Sequence, residues 1–598
     1  MKIKFSENNV MNIGPSTIVL LAVILGVAVY IGLNSLGVFD GSSDRNTEAL
    51  GEVTKTAGDA SQILASLPPS QVRPPEVTND DPPVKIGVWT WQTIGGLNDA
   101  VGGPGLSGDH PNSCLAQAGI RNTQLIVQND TSEQVKLLAA GQLQFVTTTG
   151  DQAAIDIASA NKLLGAKPGE SKVAVVMSGG YSWGEDCVMA PESILTNPQN
   201  ARGLLIAAAV PYCDWNVGVD FGFDNRIPVN ADETKYNPEA LNFVNAVDHI
   251  EAAQKYIANA KVNLKNTVTG KTEAYDITAL GSWTPGDVLA AKGRPTVQYK
   301  GRTEKLVKIA STRKYSFMMP HILFARKDWL EKHRSYVETL IRCWVRSNER
   351  IKADPNYLRT RVAPLNSILF NVEGMGPAEW TKYFAGVTEN GVDLGGSRVN
   401  SLSEVRHLFG LDQGVTVGQS VFALTYSEHG NRLKQLMPDR LDYFWPVESV
   451  VDTSFIQSVT GEVSSPVYEP RISASPQNTL VKSSFSINFA TGSATIIENQ
   501  DLRDLLSLLV RAGDTKILIE GHTDNIGNDV TNLALSKARA QAAWEWLRSH
   551  DPSGTLNEGR LLGGASGIVG YGAYQPIADN SSREGQSRNR RVVITLKS

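Results

Sequence analysis

The most apolar stretch of the chain lies near its N-terminus. Residues 17–33 read TIVLLAVILGVAVYIGL without a charge, and the apolar character continues to Phe39. A helix needs about 20 apolar residues to cross a bilayer, whereas the apolar region of a cleaved signal peptide usually has about 7–15. The pattern therefore predicts a transmembrane helix over residues 17–39. The residues Ser35, Leu36 and Gly37 resemble a weak signal-peptidase site, so a cleaved signal peptide is the alternative.

The charges on the two sides of this stretch indicate its orientation. Lys2 and Lys4 precede it, and acidic residues follow it between positions 40 and 48. Because positive flanks stay on the cytoplasmic side, residues 1–16 are expected in the cytoplasm and the rest of the chain outside. The expectation is a single-pass inner-membrane protein with most of its chain in the periplasm.

From residue 84 to residue 450, short apolar runs alternate with amphipathic stretches. VKIGVWTW, QLQFVTTTG and VAVVMSGG are typical of buried strands. The helical periodicity of EQVKLLAAG stops at Gly141, and the stretches LNFVNAVDHIEAAQKYIAN and WLEKHRSYVETLIRCWVRSNERI also show helical spacing. The alternation predicts an α/β domain with a mainly parallel sheet.

Two polar segments rich in proline and serine, residues 40–83 and 451–483, are expected to be linkers. The segment 484–598 after them has the order strand, helix, strand, helix and, after Gly-rich turns, a last strand in RRVVITL. This pattern predicts a small α+β domain at the C-terminus.

Composition mainly excludes functions. The 598 residues carry a net charge of −5, with 41% hydrophobic and 20% charged residues, so a chain of several globular units is expected and a nucleic-acid binder is not. We find no nucleophile elbow, no HExxH, no paired-acid motif and no phosphate loop. The 8 histidines are not clustered. The sequence thus predicts a protein that is not an enzyme and has no metal site and no cofactor.

The cysteines are Cys114, Cys187, Cys213 and Cys343, and no two of them have the spacing of metal ligands. Disulfides form in exported chains. Cys187 and Cys213 are the favoured pair because both fall in one predicted lobe, and four buried thiols are the alternative.

Four motifs of the last segment occur together: INFATGSATI, GHTDNIGNDVTNLALSKARA, GYGAYQPIADN and GQSRNRRVVI. Their order and spacing resemble the OmpA-like peptidoglycan-binding domain from Ser484 to Lys597. The resemblance implies that this domain binds peptidoglycan through the diaminopimelate of the stem peptide.

The free end of diaminopimelate carries one ammonium and one carboxylate, so its receptor needs an anion and a fork-shaped cation. Asp524 at a strand end suits the ammonium, and Arg539 in the following helix suits the carboxylate. Asn528 or Asn532 would start that helix. The resemblance adds further residues to the groove: Thr523, Asn532, Leu535, Asn580 and Arg590. In the alternative interpretation Asp524 caps a turn and Arg539 is a solvated helix residue.

The region 84–450 resembles periplasmic solute-binding proteins of the nitrate/taurine/sulfonate transporter class. The resemblance is carried by VKIGVWTW, LLAAGQLQFVTTTGDQA, AYDITALGSWTPGDVLA and SFMMPHILFARKDWLEKHRSYVETLIRCWVRS. It implies two α/β lobes with a cleft at the carboxyl ends of the strands. Hydroxyl, N–H and aromatic groups at such ends could hold a small anion or zwitterion: Thr90, Trp91, Thr148, Thr149, Gly150, Tyr181, Ser182 and Trp283. Asp151 and Asp186 are expected to be solvated surface residues, with selection of a cation as the alternative.

Together these patterns predict a periplasmic-binding-protein-like two-lobed α/β domain and an α+β OmpA-like C-terminal domain, with one N-terminal transmembrane helix. The first hypothesis for function is an anchored envelope protein that grips peptidoglycan and carries a solute-binding-like domain. In the second, the middle domain has lost its solute and contacts protein partners in an envelope assembly.

Overall fold

The computed structural model describes residues 2–5, 9–12, 81–90, 93–259, 261–283, 286–372, 375–385, 388–389, 392–393, 396–412, 414–460, 479–485, 487–489, 492–513 and 515–597. The predicted span 17–39 lies outside these residues. In the parts of the chain that are described, no helix has both the length and the apolar character needed to cross a membrane.

The first lobe of the middle region is built on a mixed sheet. Its strands lie in the order Ser397–Val399, Val173–Ser182, Pro320–Arg326, Phe145–Thr149, Val84–Val88 and Thr123–Val127. Val84–Val88 runs parallel to both of its neighbours, and Pro320–Arg326 runs antiparallel to both of its own. The helices Gly95–Val101, Thr131–Ala139 and Ala153–Leu163 belong to this lobe.

The second lobe has its own sheet. The order of its strands is Thr296–Tyr299, Arg302–Ser311, Cys187–Pro191, Ala279–Ser282, Leu205–Ala208, Leu241–Asn245 and Val229–Asn230. Its helices are Cys213–Asp224, His249–Ile257 and Gly286–Gly293. A smaller sheet of Lys235–Tyr236, Lys261–Asn266 and Thr272–Asp276 adjoins it.

The chain passes from the first lobe to the second at residues 183–186 and returns at 312–319. These crossovers explain why the sheets are mixed and not mainly parallel. The returning strand Pro320–Arg326 is inserted between Phe145–Thr149 and Val173–Ser182, and it runs against both. Two of the candidate ligand residues, Tyr181 and Ser182, end the strand that leads into the first crossover.

One predicted helix is partly a strand. LNFVN forms the strand Leu241–Asn245, parallel to Leu205–Ala208, and only His249–Ile257 is helical. Asp248 is the N-terminal cap of this helix, since its side chain accepts a hydrogen bond from Glu251 N at 2.8 Å. The stretch LNFVNAVDHIEAAQKYIAN is long enough for a single helix. Asp248, a residue type that favours helix starts, was the sign in the sequence that the helix begins only after it.

The helices after the second crossover pack back on the first lobe. They are Lys327–Lys332, Arg334–Ala353, Ala363–Phe370, Pro377–Ala385, Leu402–Leu408, Val421–Leu436 and Ser454–Thr460. Phe455 and Ile456 of the last helix are buried. The segment predicted as the second linker therefore begins with a helix of the middle region.

The disulfide joins Cys114 to Cys343, with the two Cα atoms 5.6 Å apart. The favoured pairing of Cys187 with Cys213 is wrong, and both of these thiols are free. Cys343 lies on the long helix Arg334–Ala353, which packs against the first lobe beside the short helix Cys114–Gln117. The pairing depends on this long-range packing, which spacing along the chain does not reveal.

The C-terminal domain is a sheet with strands in the order Thr479–Phe485, Val592–Lys597, Lys516–Gly521 and Ile568–Gly570. Its longer helices are Gln500–Arg511, Asp529–Ser549 and Arg583–Asn589. A short pair, Asn488–Phe489 and Ile496–Ile497, lies at one side. The structure confirms the predicted order of strands and helices. It also has a strand that was not predicted, Ile568–Gly570, within the Gly-rich turns.

The C-terminal domain rests on the middle region through Arg511. This side chain is 1% exposed and lies 3.1 Å from Asp224 Oδ1 and 2.8 Å from Glu428 Oε2, and it also pairs with Asp220. Its backbone carbonyl accepts a hydrogen bond from Phe317 N at 3.0 Å, within the second crossover. The end of helix Gln500–Arg511 therefore contacts the second lobe, the crossover and the helix Val421–Leu436.

Candidate functional site

The predicted wall-binding aspartate lies just beyond a central strand of the C-terminal sheet. Lys516–Gly521 ends two residues before Thr523, and Asp524 follows. One carboxylate oxygen of Asp524 accepts a hydrogen bond from Ile526 N at 3.1 Å, which fixes the turn. The other accepts one from Arg590 at 2.6 Å. The side chain of Asp524 remains 12% exposed.

The arginine of the pair lies about three turns into the helix Asp529–Ser549. Asn528 starts this helix, because its side chain accepts a hydrogen bond from Thr531 N at 2.8 Å. The helix can approach the strand closely because Gly521 has no side chain: a Cβ there would lie 2.0 Å from Ser536 O. This approach places Arg539 beside the strand end that precedes Asp524.

Arg539 is 6% exposed and is held by neighbours from the short strand pair. Its Nε donates to Ser493 O at 3.1 Å, and its guanidinium carbon lies 5.1 Å from the ring centroid of Phe489. Burial, followed by the charge of Arg590, lowers the pKa of Arg539, and the charge of Asp524 raises it. The interpretation of Arg539 as a solvated helix residue is therefore wrong. Its buried guanidinium shares one site with the charges of Asp524 and Arg590.

The other predicted residues take different positions around this site. Asn532 is buried, and its amide lies 3.5 Å from the carbonyl oxygen of Asp524. Thr523 is buried with a hydroxyl that has no hydrogen-bond partner, and Leu535 is half-buried. Asn580 accepts a hydrogen bond from Asn589 Nδ2 at 2.8 Å, so it shapes the loop before the last strand.

Sequence reasoning missed three residues of this site: Phe489, Ser493 and Asn589. The first two belong to the motif INFATGSATI, in which the sequence gives no sign of which residues contact Arg539. Asn589 is fully buried and accepts hydrogen bonds from Ile577 N at 2.8 Å and Ala578 N at 3.0 Å. Its place within GQSRNRRVVI was the available signal.

In the middle region, the two lobes touch across their seam. Thr149 Oγ1 of the first lobe lies 3.8 Å from Cys213 Sγ of the second. Asn216 of the second lobe donates to Asp151 Oδ2 of the first at 2.7 Å. Both contacts join the end of strand Phe145–Thr149 to the start of helix Cys213–Asp224. The strand end and the helix start meet here, as is usual for ligand sites in such sheets.

The crossovers contribute a second set of polar groups. Ser182 donates to Asp186 Oδ2 at 2.5 Å and lies 2.7 Å from the hydroxyl of Thr312. Burial raises the pKa of Asp186 to about 7, although the hydrogen bond from Ser182 opposes this. Asp186 and Asp151 are 5% and 0% exposed, so the expectation that they are solvated is wrong. Asp186 lies in the first crossover, and Asp151 is contacted by Asn216 of the opposite lobe, which their sequence neighbours do not reveal.

The remaining predicted ligand residues are only partly brought together. Thr148 bonds Asp156 within its own lobe, and Thr90 N donates to Asn129 Oδ1 at 2.9 Å. Gly150 and Tyr181 lie in or beside the first sheet, next to Pro320. The ring of Trp283 lies 3.9 Å from that of His249 in the second lobe. Trp91 lies outside the described residues.

Sequence reasoning also missed Asp214, which follows Cys213 at the start of a helix. It is 2% exposed, and burial raises its pKa to about 7. Its Oδ2 has no hydrogen-bond partner. A helix-initial Cys-Asp pair after a cis Val210-Pro211 bond gives no evident sign of a ligand site in the sequence.

Comparison with known proteins confirms the resemblance of the C-terminal segment. Residues 488–590 match the model of the OmpA family. Outer membrane porin F of Pseudomonas aeruginosa is 34% identical over 120 residues, which are 20% of this chain and 32% of that protein. The peptidoglycan-binding protein ArfA of Mycobacterium tuberculosis is 30% identical over 112 residues, 18% of this chain and 32% of that protein. The chain thus covers about a third of the length of these relatives.

The middle region is similar in structure to periplasmic components of ABC-type import systems. The periplasmic nitrate-binding protein NrtA of Synechocystis PCC 6803 aligns with 66% of this chain and 91% of its own, at 10% identity and a TM-score of 0.42.

Proposed function

We propose that this protein attaches to the bacterial cell wall by binding peptidoglycan through its C-terminal OmpA domain. The observation that carries this proposal is the convergence of Asp524, Arg539 and Arg590 on one groove beside a strand end. An anion and a buried guanidinium in one groove suit a ligand that is both an ammonium and a carboxylate. The name of the relative ArfA, a peptidoglycan-binding protein, supports the same function.

The stem-peptide residue diaminopimelate has this chemistry at its free end. In the proposed complex Asp524 accepts hydrogen bonds from the ammonium, and Arg539 donates to the carboxylate. Ser493 and Phe489 hold the guanidinium in place, so its orientation is set before the ligand arrives. Preorganisation of this kind lowers the entropic cost of binding. The hydroxyl of Thr523, next to Asp524 in the chain, is buried and has no hydrogen-bond partner.

The proposal is tested by sedimenting the purified full-length chain with isolated sacculi in the presence of soluble competitors. Diaminopimelate should release the protein from the pellet. 1,5-Diaminopentane, which keeps the ammonium groups but has no carboxylate, should not release it at the same concentration, because it leaves Arg539 without a partner. Equal release by both compounds would contradict recognition of the carboxylate.

The proposal places the protein in the inner membrane, anchored by residues 17–39, with the middle region and the OmpA domain in the periplasm. The support is the uncharged apolar stretch and the distribution of charges around it. The OmpA domain would then reach the wall from the inner-membrane side.

A topology experiment checks the anchor. Alkaline phosphatase fused after Phe39 should be active, because the fusion point lies outside the cytoplasm, and the full-length protein should remain in the membrane after a high-salt wash. A fusion after residue 16 serves as the inactive control. A mature protein that begins near Val38 would show that the stretch is a cleaved signal.

The second component of the proposed function is a binding role for the middle region, without catalysis. The supporting observation is the seam, where Thr149 contacts Cys213 and Asp151 accepts a hydrogen bond from Asn216 of the opposite lobe. Two lobes joined by crossovers can open and close around a small solute. The competing hypothesis, a scaffold that contacts proteins of an envelope assembly, predicts no solute-dependent change at this seam.

A further inference from the structure

Three carboxylates meet the seam of the middle region from different chain segments. Asp151 follows the last strand residue Thr149 in the first lobe, Asp186 ends the first crossover, and Asp214 begins a helix in the second lobe. They are 0%, 5% and 2% exposed. Charged groups are almost never buried to this degree unless a partner compensates them. A group that balances the charge of these carboxylates, such as a bound ligand, would therefore bear on function.

Two of the carboxylates have an oxygen without any hydrogen-bond partner: Asp151 Oδ1 and Asp214 Oδ2. The position of the first is defined, because Asp151 Oδ2 accepts a hydrogen bond from Asn216 of the opposite lobe at 2.7 Å. The oxygen beside it must therefore also lie at the seam. Asp214 Oδ2 lies 3.1 Å from the point where a Cβ on Gly281 would be, at the end of strand Ala279–Ser282. Both oxygens thus lie at the ends of elements that border the cleft.

The positive groups of the region are shared with other acids: burial raises the pKa of Asp151 against the charge of His429 and the pKa of Asp186 against that of Lys308, and each of these positive groups also pairs with another carboxylate. Lys308 lies 2.9 Å from Asp287 Oδ2, and His429 lies 3.3 Å from Asp220 Oδ1. Burial lowers the pKa of His249 to about 4, so its ring is neutral at pH 7. The seam therefore has more acidic groups than cations to balance them.

The pKa values of the three carboxylates agree with this imbalance. Burial raises the pKa of Asp151, and it raises the pKa values of Asp186 and Asp214 to about 7. A cation bound beside them would favour their charged forms and lower these values again.

Among the residues that the structure describes, no three His, Cys, Asp or Glu side chains are arranged to hold a metal ion. The acids are spread around the seam, and the ring of Trp283 on the second-lobe side is packed against that of His249. Separate carboxylates suit an organic ammonium, whose charge several acceptors can share. We infer that the cleft binds a small solute through an ammonium group, with Asp151 and Asp214 as its carboxylate partners.

This inference rests on the proposed solute-binding role and names the chemical class of the solute. It differs from the expectation drawn from strand-end hydroxyls, which allowed a simple anion. A zwitterion remains compatible, since its ammonium can meet the acids. A solute that carries only negative charge is excluded, because it would face Asp151 and Asp214 across the closed seam.

The test measures the melting temperature and calorimetric binding of the full-length chain with matched probes. The amines are methylamine, choline and 1,4-diaminobutane, the neutral counterparts are methanol, 3,3-dimethyl-1-butanol and 1,4-butanediol, and nitrate and propanesulfonate are the anions. At least one amine should raise the melting temperature, and its neutral counterpart should not. Asp151→Asn and Asp214→Asn should each weaken binding of that amine more than about tenfold.

The variants also separate ligand binding from folding. Without a probe, Asp151→Asn should melt at or above the temperature of the unmodified chain, because the change removes a buried charge and keeps the shape of the side chain. Glu170→Gln, an exposed acid in the turn before strand Val173–Ser182, should leave binding and melting unchanged. Loss of binding in a variant that melts normally supports the inference.

The outcomes that overturn the inference are distinct from those that overturn the proposed function. If only nitrate or propanesulfonate binds, the solute-binding role stands and the ammonium inference fails. If no probe of any charge binds, both fail and the scaffold hypothesis gains support. Amine binding that survives in both aspartate variants would place the ligand elsewhere on the chain. Wall binding is measured separately with sacculi and is unaffected by any of these results.

Discussion

Asp524→Ala and Arg539→Ala should each abolish sedimentation of the full-length chain with peptidoglycan sacculi. Removing one partner of a charged recognition pair leaves the other ligand charge desolvated and unpaired, which costs about 2–5 kcal/mol. That loss corresponds to a decrease in affinity of more than about tenfold. For Arg539→Ala we expect a loss near the upper end of this energy range, since Arg539 is 6% exposed and its guanidinium is already oriented by Ser493 and Phe489.

Matched controls separate this effect from a loss of fold. Arg548 lies on the same helix, Asp529–Ser549, but its side chain is 42% exposed and pairs with Glu558 at the surface. Arg548→Ala should leave sedimentation unchanged. Circular dichroism and melting of all the variants show whether the domain still folds. Sacculus binding that persists in both groove variants would refute the proposed site.

The wall site could be predicted to a large extent because its residues are local in sequence. Asp524, Asn528 and Arg539 lie within one strand–turn–helix unit, and the spacing of charges on such a unit determines which side chains meet. The partners Ser493 and Phe489 could not be predicted, since they enter from a separate strand pair. The pairing of Asp524 with Arg590, 66 residues away, also depends on the closing strand of the sheet.

The cleft shows where local patterns fail. Strand ends such as Thr149 and Ser182 were located by periodicity, but periodicity does not say what lies opposite them. Asp151 was expected in solvent, with selection of a cation as the alternative. It is buried because the second lobe covers it through Asn216. The disulfide between Cys114 and Cys343 was missed for the same reason: its partners are 229 residues apart.

The contact between the two folded regions was not predicted either, and it has consequences for stability. Arg511 ends a helix of the OmpA domain and reaches Asp220 and Asp224 on the second lobe. Glu428, from the helix Val421–Leu436 that packs against the first lobe, meets the same guanidinium at 2.8 Å. One side chain therefore joins the OmpA domain to elements of both lobes.

The charges of this cluster depend on one another. Burial alone would raise the pKa of Asp220, but the guanidinium groups of Arg432 and Arg511 overcome it and hold that pKa below its usual range. Burial would likewise raise the pKa of Asp224, but the charges of Lys314 and Arg511 lower it below its usual range. Asp220 has 0% of its side chain exposed, so water cannot replace a lost cation.

Arg511→Met should therefore destabilise the full-length chain by about 3–5 kcal/mol, since breaking a buried ion pair leaves uncompensated charge. Chemical denaturation followed by tryptophan fluorescence measures the loss, with the transitions of the two regions fitted separately. Arg503→Met is the matched control: it lies on the same helix, and its side chain is 56% exposed. Adding Glu428→Gln to Arg511→Met should recover part of the lost stability, because it removes the carboxylate that faced Arg511 while Asp220 keeps Arg432 and Asp224 keeps Lys314. A variant as stable as the Arg503→Met control, or no recovery in the double variant, would show that the ion cluster does not hold the OmpA domain against the lobes.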